Sequence, residues 1–297
     1  MYSSKNGRSR FVSVMNMSSC RVFLSVCLCG ILVPVSNDLR AAEVVPLLLW
    51  DVQTTHSSNS QLRESGRGMG KQALSTQQGT VLRRFSIGNE GWYFGAGLQG
   101  ESFSFSGNNK SGLRHLRDVT AQISLEYFVG ETQAASLSFK PGFYFEDNVR
   151  AGAFDMPVQL VGGIPLTANL NGVIGAAGAR FYKQPIPIVG LSWTVLPTVR
   201  LDAVFPEPAL TYSPDKALEI KLGGELQSGG FRMDSGTPLE YYSYQIKTRV
   251  SYSVTRVLKF SGAVGYELER SFDYFHRGRR ETSDGAILFQ VGAGLSF

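Results

Sequence analysis

Thiols are scarce in this 297-residue sequence, and the few present sit at one end: Cys20, Cys27 and Cys29 all precede residue 42. The rest of the chain has no cysteine, which excludes disulfides and thiolate metal sites over most of its length. Cys27-x-Cys29 has the wrong spacing for a redox Cys-x-x-Cys pair and lies in an apolar run. Histidine is just as rare, with only His56, His115 and His276. No cluster has metal-ligand spacing, so neither a metal nor any other cofactor is expected. An excess of one charge is missing too. The formal +5 comes mostly from Lys5, Arg8, Arg10, Arg21 and Arg40, set against the single acid Asp38 within residues 1–42. Beyond them stand 24 bases (29 − 5) and 23 acids (24 − 1), so a nucleic-acid partner is not expected. No apolar run reaches the ~20 residues of a membrane helix.

What is present divides the chain in three. Residues 1–42 read as a secretory signal peptide, with basic residues up to Arg21, an apolar run from Val22 to Val35, and small residues Ala41-Ala42 for cleavage. Residues 43–90 read as a flexible lead-in, because 52–79 are rich in Ser, Thr, Gln and Gly without a period. Within it, Gly66-Arg67-Gly68-Met69-Gly70-Lys71 only superficially resembles a phosphate loop. The earlier Gly and the Ser/Thr after the lysine are both missing.

From Gly91 to the end, alternation of apolar and polar residues hardly stops. Val119, Ala121, Ile123, Leu125, Tyr127 and Val129 alternate with Thr120, Gln122, Ser124 and Glu126. Tyr242, Tyr244, Ile246, Val250 and Tyr252 alternate with Ser243, Gln245, Lys247, Arg249 and Ser251. A period of two with one apolar face is the mark of a strand. Several runs exceed the usual 5–6 residues of a soluble strand and reach the ~9–11 of a membrane-spanning one. Aromatics gather near strand ends, as interfacial girdles do.

The last eight residues, Gln290 to Phe297, carry the same alternation and stop on an aromatic residue. They resemble the closing strand of bacterial outer-membrane β-barrels, whose insertion signal runs polar–x–Gly–x–x–apolar–x–apolar. Gln290, Gly292, Leu295 and Phe297 fill its slots. The segments Pro187–Trp193, Leu201–Pro206 and Leu222–Glu225 resemble an uncharacterised family of such barrels, over roughly residues 80–297. The resemblance implies an all-β, transmembrane, antiparallel up-and-down barrel in the outer membrane, and hands over no catalytic residue. It also implies outer-membrane lipid and the barrel-assembly machinery as partners.

Connection lengths then set strand number and orientation. Long polar stretches at 107–117, 147–154, 227–239 and 271–284 alternate with tight turns at 131–132, 213–215 and 255–256. A hairpin at Phe205-Pro206-Glu207-Pro208 completes the parity. This predicts 12 strands over 91–297, with 10 as the alternative, both termini in the periplasm and the last strand paired with the first near 91–100. The oligomeric state is left open.

On the predicted inner wall lie Lys140, Arg200, Asp202, Glu219, Lys221, Glu225, Lys247, Arg249, Lys259, Glu267 and Glu269. Such a set either braces a small barrel by cross-strand ion pairs or lines a charged pore. The expected function is structural, or passive passage of small solutes, without a catalytic site. The rival readings are a lipid-modifying hydrolase built on His276, with Ser271, Asp273 and Ser283 nearby, and a secreted carbohydrate-binding β-sandwich. No Gly-x-Ser-x-Gly scaffold surrounds His276. Arg277, Arg279 and Arg280 instead suggest contact with the phosphates of surface glycolipid.

Overall fold

The computed structural model describes residues 45–88, 91–108, 110–129, 132–275 and 278–297. The leader at 1–42, together with His276 and Arg277, lies outside the described residues. Seventeen strand segments are formed: β1 Leu48–Glu64, β2 Arg67–Ile87, β3 Trp92–Ser106, β4 His115–Val129, β5 Thr132–Phe139, β6 Gly142–Phe145, β7 Phe154–Asp155, β8 Val158–Pro165, β9 Leu170–Gly178, β10 Ile186–Leu196, β11 Val199–Phe205, β12 Ala209–Tyr212, β13 Leu218–Arg232, β14 Pro238–Ser253, β15 Leu258–Tyr274, β16 Arg279–Ser283 and β17 Ala286–Ser296. They make fourteen staves, because β5/β6, β7/β8 and β16/β17 are each one stave with a break. Two of the breaks hold Pro141 and Pro157, which have no N–H for the ladder. They face each other across one strand pair, where Lys140 N donates to Pro157 O at 2.9 Å.

Each stave pairs antiparallel with the next, and β17 returns to β1 with Leu295 opposite Trp50 and Val291 opposite Thr54. The sheet therefore closes, leaving no edge that lipid would have to solvate. Phe297 secures the junction, its carbonyl accepting from Leu47 N at 2.6 Å and its N–H donating to Leu48 O at 3.0 Å. The apolar residues of the alternation face outward, as with Phe289, Val291, Val264 and Ile246, all exposed.

The strand count corrects the sequence reading. Residues 48–87, expected as part of a flexible lead-in, form β1 and β2, of 17 and 21 residues, β2 being the longest strand described. They supply both missing strands, and the closing partner of β17 is β1 rather than 91–100. Their outward positions include Thr54, His56, Ser75 and Gln77, so the alternation has no hydrophobic contrast there. The parity of connections elsewhere stands, including the hairpin at 205–208. Both described ends of the chain meet at one rim, the terminus end, and the longer connections lie at the other, the loop end.

Candidate functional site

The lumen is filled in one half and open in the other. In the loop half, β1–β4, β6 and β13–β15 turn Leu62, Leu74, Phe103, Phe105, Phe231, Tyr241 and Phe272 inward, all buried. Ring centroids lie 5.1 Å apart for Phe103–Tyr241, 5.3 Å for Phe105–Phe272 and 5.8 Å for Phe103–Phe231, within the range of attractive edge-on pairs. At the edge of this core Arg270 and Glu267 form a fully buried ion pair at 2.5 Å. Ser243 donates to Glu267 at 2.5 Å, and Arg270 donates to Gln72 at 3.2 Å. The parallel contact of Arg232 in β13 with Phe145 in β6 draws the loop end into a narrower ring around the core.

Toward the short staves β8–β12 the barrel holds a cavity of about 1050 Å³. Its lining carries five carboxylates, Glu101, Asp118, Asp202, Glu207 and Glu225, against three bases, Lys140, Arg200 and Lys221. Ile186, Ile188 and Phe103 add apolar surface. Gln227 donates to Glu101 at 2.7 Å.

Above the cavity the ladder is interrupted. β13 pairs with β12 only over Ile220–Gly223 and with β6 only at Arg232. The gap is roofed by a strap, residues 179–185. Arg180 N and Phe181 N donate to the buried Asp155 at 3.1 and 3.2 Å. Lys183 N donates to Glu240 at 3.1 Å. Phe181 packs directly on Gly230, where any side chain would run into it. Burial pushes the Tyr182 hydroxyl up to about 12, so it stays protonated and donates to Ser228 O at 3.4 Å.

Ten of the eleven charges expected on the inner wall face the lumen, and most are paired. Lys247 and Arg249 lie 2.6 and 4.0 Å from Glu225, Lys259 3.5 Å from Glu219, and Arg200 2.8 Å from Asp202. Lys140 and Lys221 line the cavity, and Glu267 is held by Arg270. Glu269 is the exception. A β-bulge opposite Tyr244/Gln245 inserts one residue in β15 and flips the faces beyond it. Glu269 therefore faces out, 3.5 Å from Arg280, while Arg270 and Phe272 turn in.

The aromatic core is hidden differently, because in β3 the pleat is unbroken and the aromatics themselves change face. Trp92 and Phe94 are outward on even positions, whereas Phe103 and Phe105 in the same stave are inward on odd ones. That move of the aromatics from even to odd positions within one unbroken strand is the signal a sequence reading could have used. Of the terminal octet, Leu295 lies on the outer face and Phe297 is exposed at the rim. Gln290 points inward, accepting from Arg249 at 2.9 Å and donating to Gln53 at 2.6 Å. Gly292 lies opposite Gln53 in the closing seam.

No protein-family model matches the chain, and no curated protein matches it. Among solved structures it is similar to an outer membrane channel from Pseudomonas putida F1, with TM-score 0.53 and 12% identity over 89% of this chain and 100% of that one. Weaker similarities are to the NanC porin, with TM-score 0.39 and 11% identity over 84% and 100%, and to the outer membrane protease OmpT from Escherichia coli, with TM-score 0.32 and 11% identity over 88% and 100%. The last two are too distant to bear on this chain. The first establishes the fold: this is a closed β-barrel of the bacterial outer-membrane type, as the alternation and the closing octet imply.

Proposed function

We propose that the protein is an outer-membrane pore for small polar solutes, closed in this conformation at the loop end by the strap and with a preference for cations. The observation that carries this is the uneven filling of the lumen. Opening the loop half would expose the aromatic core and an ion pair whose rupture alone costs about 3–5 kcal/mol. Lifting the strap breaks three backbone hydrogen bonds to the carboxyl groups of Asp155 and Glu240, each about 1–3 kcal/mol, exposes the single buried ring of Phe181 and uncovers the gap beside β13. The strap is the cheaper door. The acid-rich lining supplies the charge selectivity.

The segments that resemble the uncharacterised barrel family fall on β10, on β11 with its hairpin tip, and on β13, which together frame this gap. The loop end faces outward and the termini face the periplasm, where the assembly machinery reads the terminal octet. At the outer rim Arg279 is engaged by Glu64 at 3.1 Å and by Glu281, while Arg280, 3.5 Å from Glu269 and 62% exposed, keeps its guanidinium accessible to glycolipid phosphate.

The test is a Phe181→Cys/Gly230→Cys pair, which joins strap to wall after a small shift, in a described chain otherwise free of thiols. Single-channel current in planar bilayers should be low and cation-selective when the pair is oxidised and should rise on adding a reductant. Equal currents in both states would place the route elsewhere.

A further inference from the structure

We infer that the loop-side half of the outer face of β1–β3 is an interface for a second copy of this chain. Thr54 and His56 in β1, Ser75 and Gln77 in β2, and Ser102 and Ser104 in β3 form one continuous patch. Cross-strand register places Thr54 opposite Gln77 and His56 opposite Ser75, then Gln77 opposite Ser102 and Ser75 opposite Ser104. All six point outward, since Gln53 and Gln78 on the alternate positions point into the lumen and bond to each other there.

On the other side of β1 the wall is apolar at the same level. His56 lies opposite Phe289, and Thr54 opposite Val291, both more than half exposed. The polar patch therefore begins within the apolar band, one strand away from side chains suited to lipid. No side-chain hydrogen bond is formed by any of the six among the described residues. Hydrocarbon cannot supply one, and an unmet polar group there is costly.

The chemistry of the patch selects its occupant. Hydroxyl and carboxamide groups each both donate and accept, and the histidine ring adds two further hydrogen-bonding nitrogens. An identical patch on a second copy can therefore satisfy this one without like-charge repulsion. A phosphorylated glycolipid would call for several bases in register with the patch, and among the described residues paired with its six members the one Lys or Arg is Arg117, opposite Ser102. Gly100, on the same outer face beside the patch, has room for a side chain: a Cβ there would meet only the Asp118 carbonyl, at 3.6 Å. Its bareness is not imposed by packing within the barrel, and it lets another wall approach. Trp50, Val81 and Leu98 continue the face toward the terminus end. This enlarges the contact toward the roughly 800 Å² per partner of a stable interface.

The experiment uses the full chain in intact outer membranes. Gln77→Cys should give a disulfide-linked dimer on mild oxidation, whereas Val264→Cys, on the wall of β15, should not. In gentle detergent the wild type should sediment as more than one copy, and His56→Leu/Gln77→Leu should sediment as a monomer that keeps its fast migration on unheated gels. The inference is overturned if Gln77→Cys cross-links no more than Val264→Cys while the wild type is monomeric, with or without glycolipid bound. It is overturned equally if the double variant remains folded and oligomeric.

Discussion

The barrel has a tall side and a short side, and they are held together differently. Staves β1–β4 and β13–β15 run 15 to 21 residues and enclose the aromatic core. The strands β8–β12 run 4 to 11 residues and line the cavity. On the tall side, long ladders bury apolar surface in the lumen, so stability comes from packing. On the short side, the inward groups are small, polar or aliphatic, such as Asn171, Val173 and Ser192, with Arg200 and Asp202 as a charged pair, and they line a cavity instead of packing against one another, which contributes little to stability. The lesson is that one closed sheet can supply both a rigid frame and a yielding wall, through the length of its staves and the side chains they turn inward.

The comparison breaks most readily at Arg270. Replacing it by Met leaves Glu267 buried and uncompensated in the tall side. Stability should fall by about 3–5 kcal/mol, seen as a lower urea midpoint in detergent. A loss no larger than that of a change on the short side would mean that the filled half is not the frame. A smaller effect is expected at the closing seam of the tall side. Deleting Phe297 removes the backbone bonds that tie the chain end to Leu47 and Leu48, each worth about 1 kcal/mol net. Folded protein in the outer membrane should drop severalfold, while Ser296→Thr leaves it unchanged; immunoblots of membrane fractions with and without heating would show it. The least effect belongs to Arg200 on the short side. Its side chain is 58% exposed against Asp202, so Arg200→Gln should change stability by less than about 1 kcal/mol. It should make the pore more cation-selective, a shift readable in the reversal potential under a salt gradient.

The sequence made the barrel, its closing strand and most of its inner charges legible, because lipid imposes a strict period of two on the outer face. It concealed β1 and β2 where that constraint relaxes: the outward Thr54, His56, Ser75 and Gln77 leave no contrast between faces. It misplaced Glu269 because a one-residue bulge is invisible to a pattern that assumes unbroken pleating. It concealed the division of the lumen because inward Phe103 and Tyr241 look, residue by residue, like outward aromatics. Only their phase against Phe94 and Tyr244 separates them. The strap was out of reach for a different reason, since its partners Asp155, Ser228 and Glu240 come from three separate parts of the chain.

The parallel contact between Arg232 and Phe145 also has a kinetic side. The two residues are 87 apart in sequence (232 − 145), while neighbouring staves join through connections of a few residues. Closing so long a loop directly costs about 2 kcal/mol more than closing a ten-residue hairpin. The contact therefore forms late, once the hairpins from β7 to β12 have zipped and shortened the effective distance. The narrowing of the loop end is thus expected to follow the pairing of the staves that lie between the two residues.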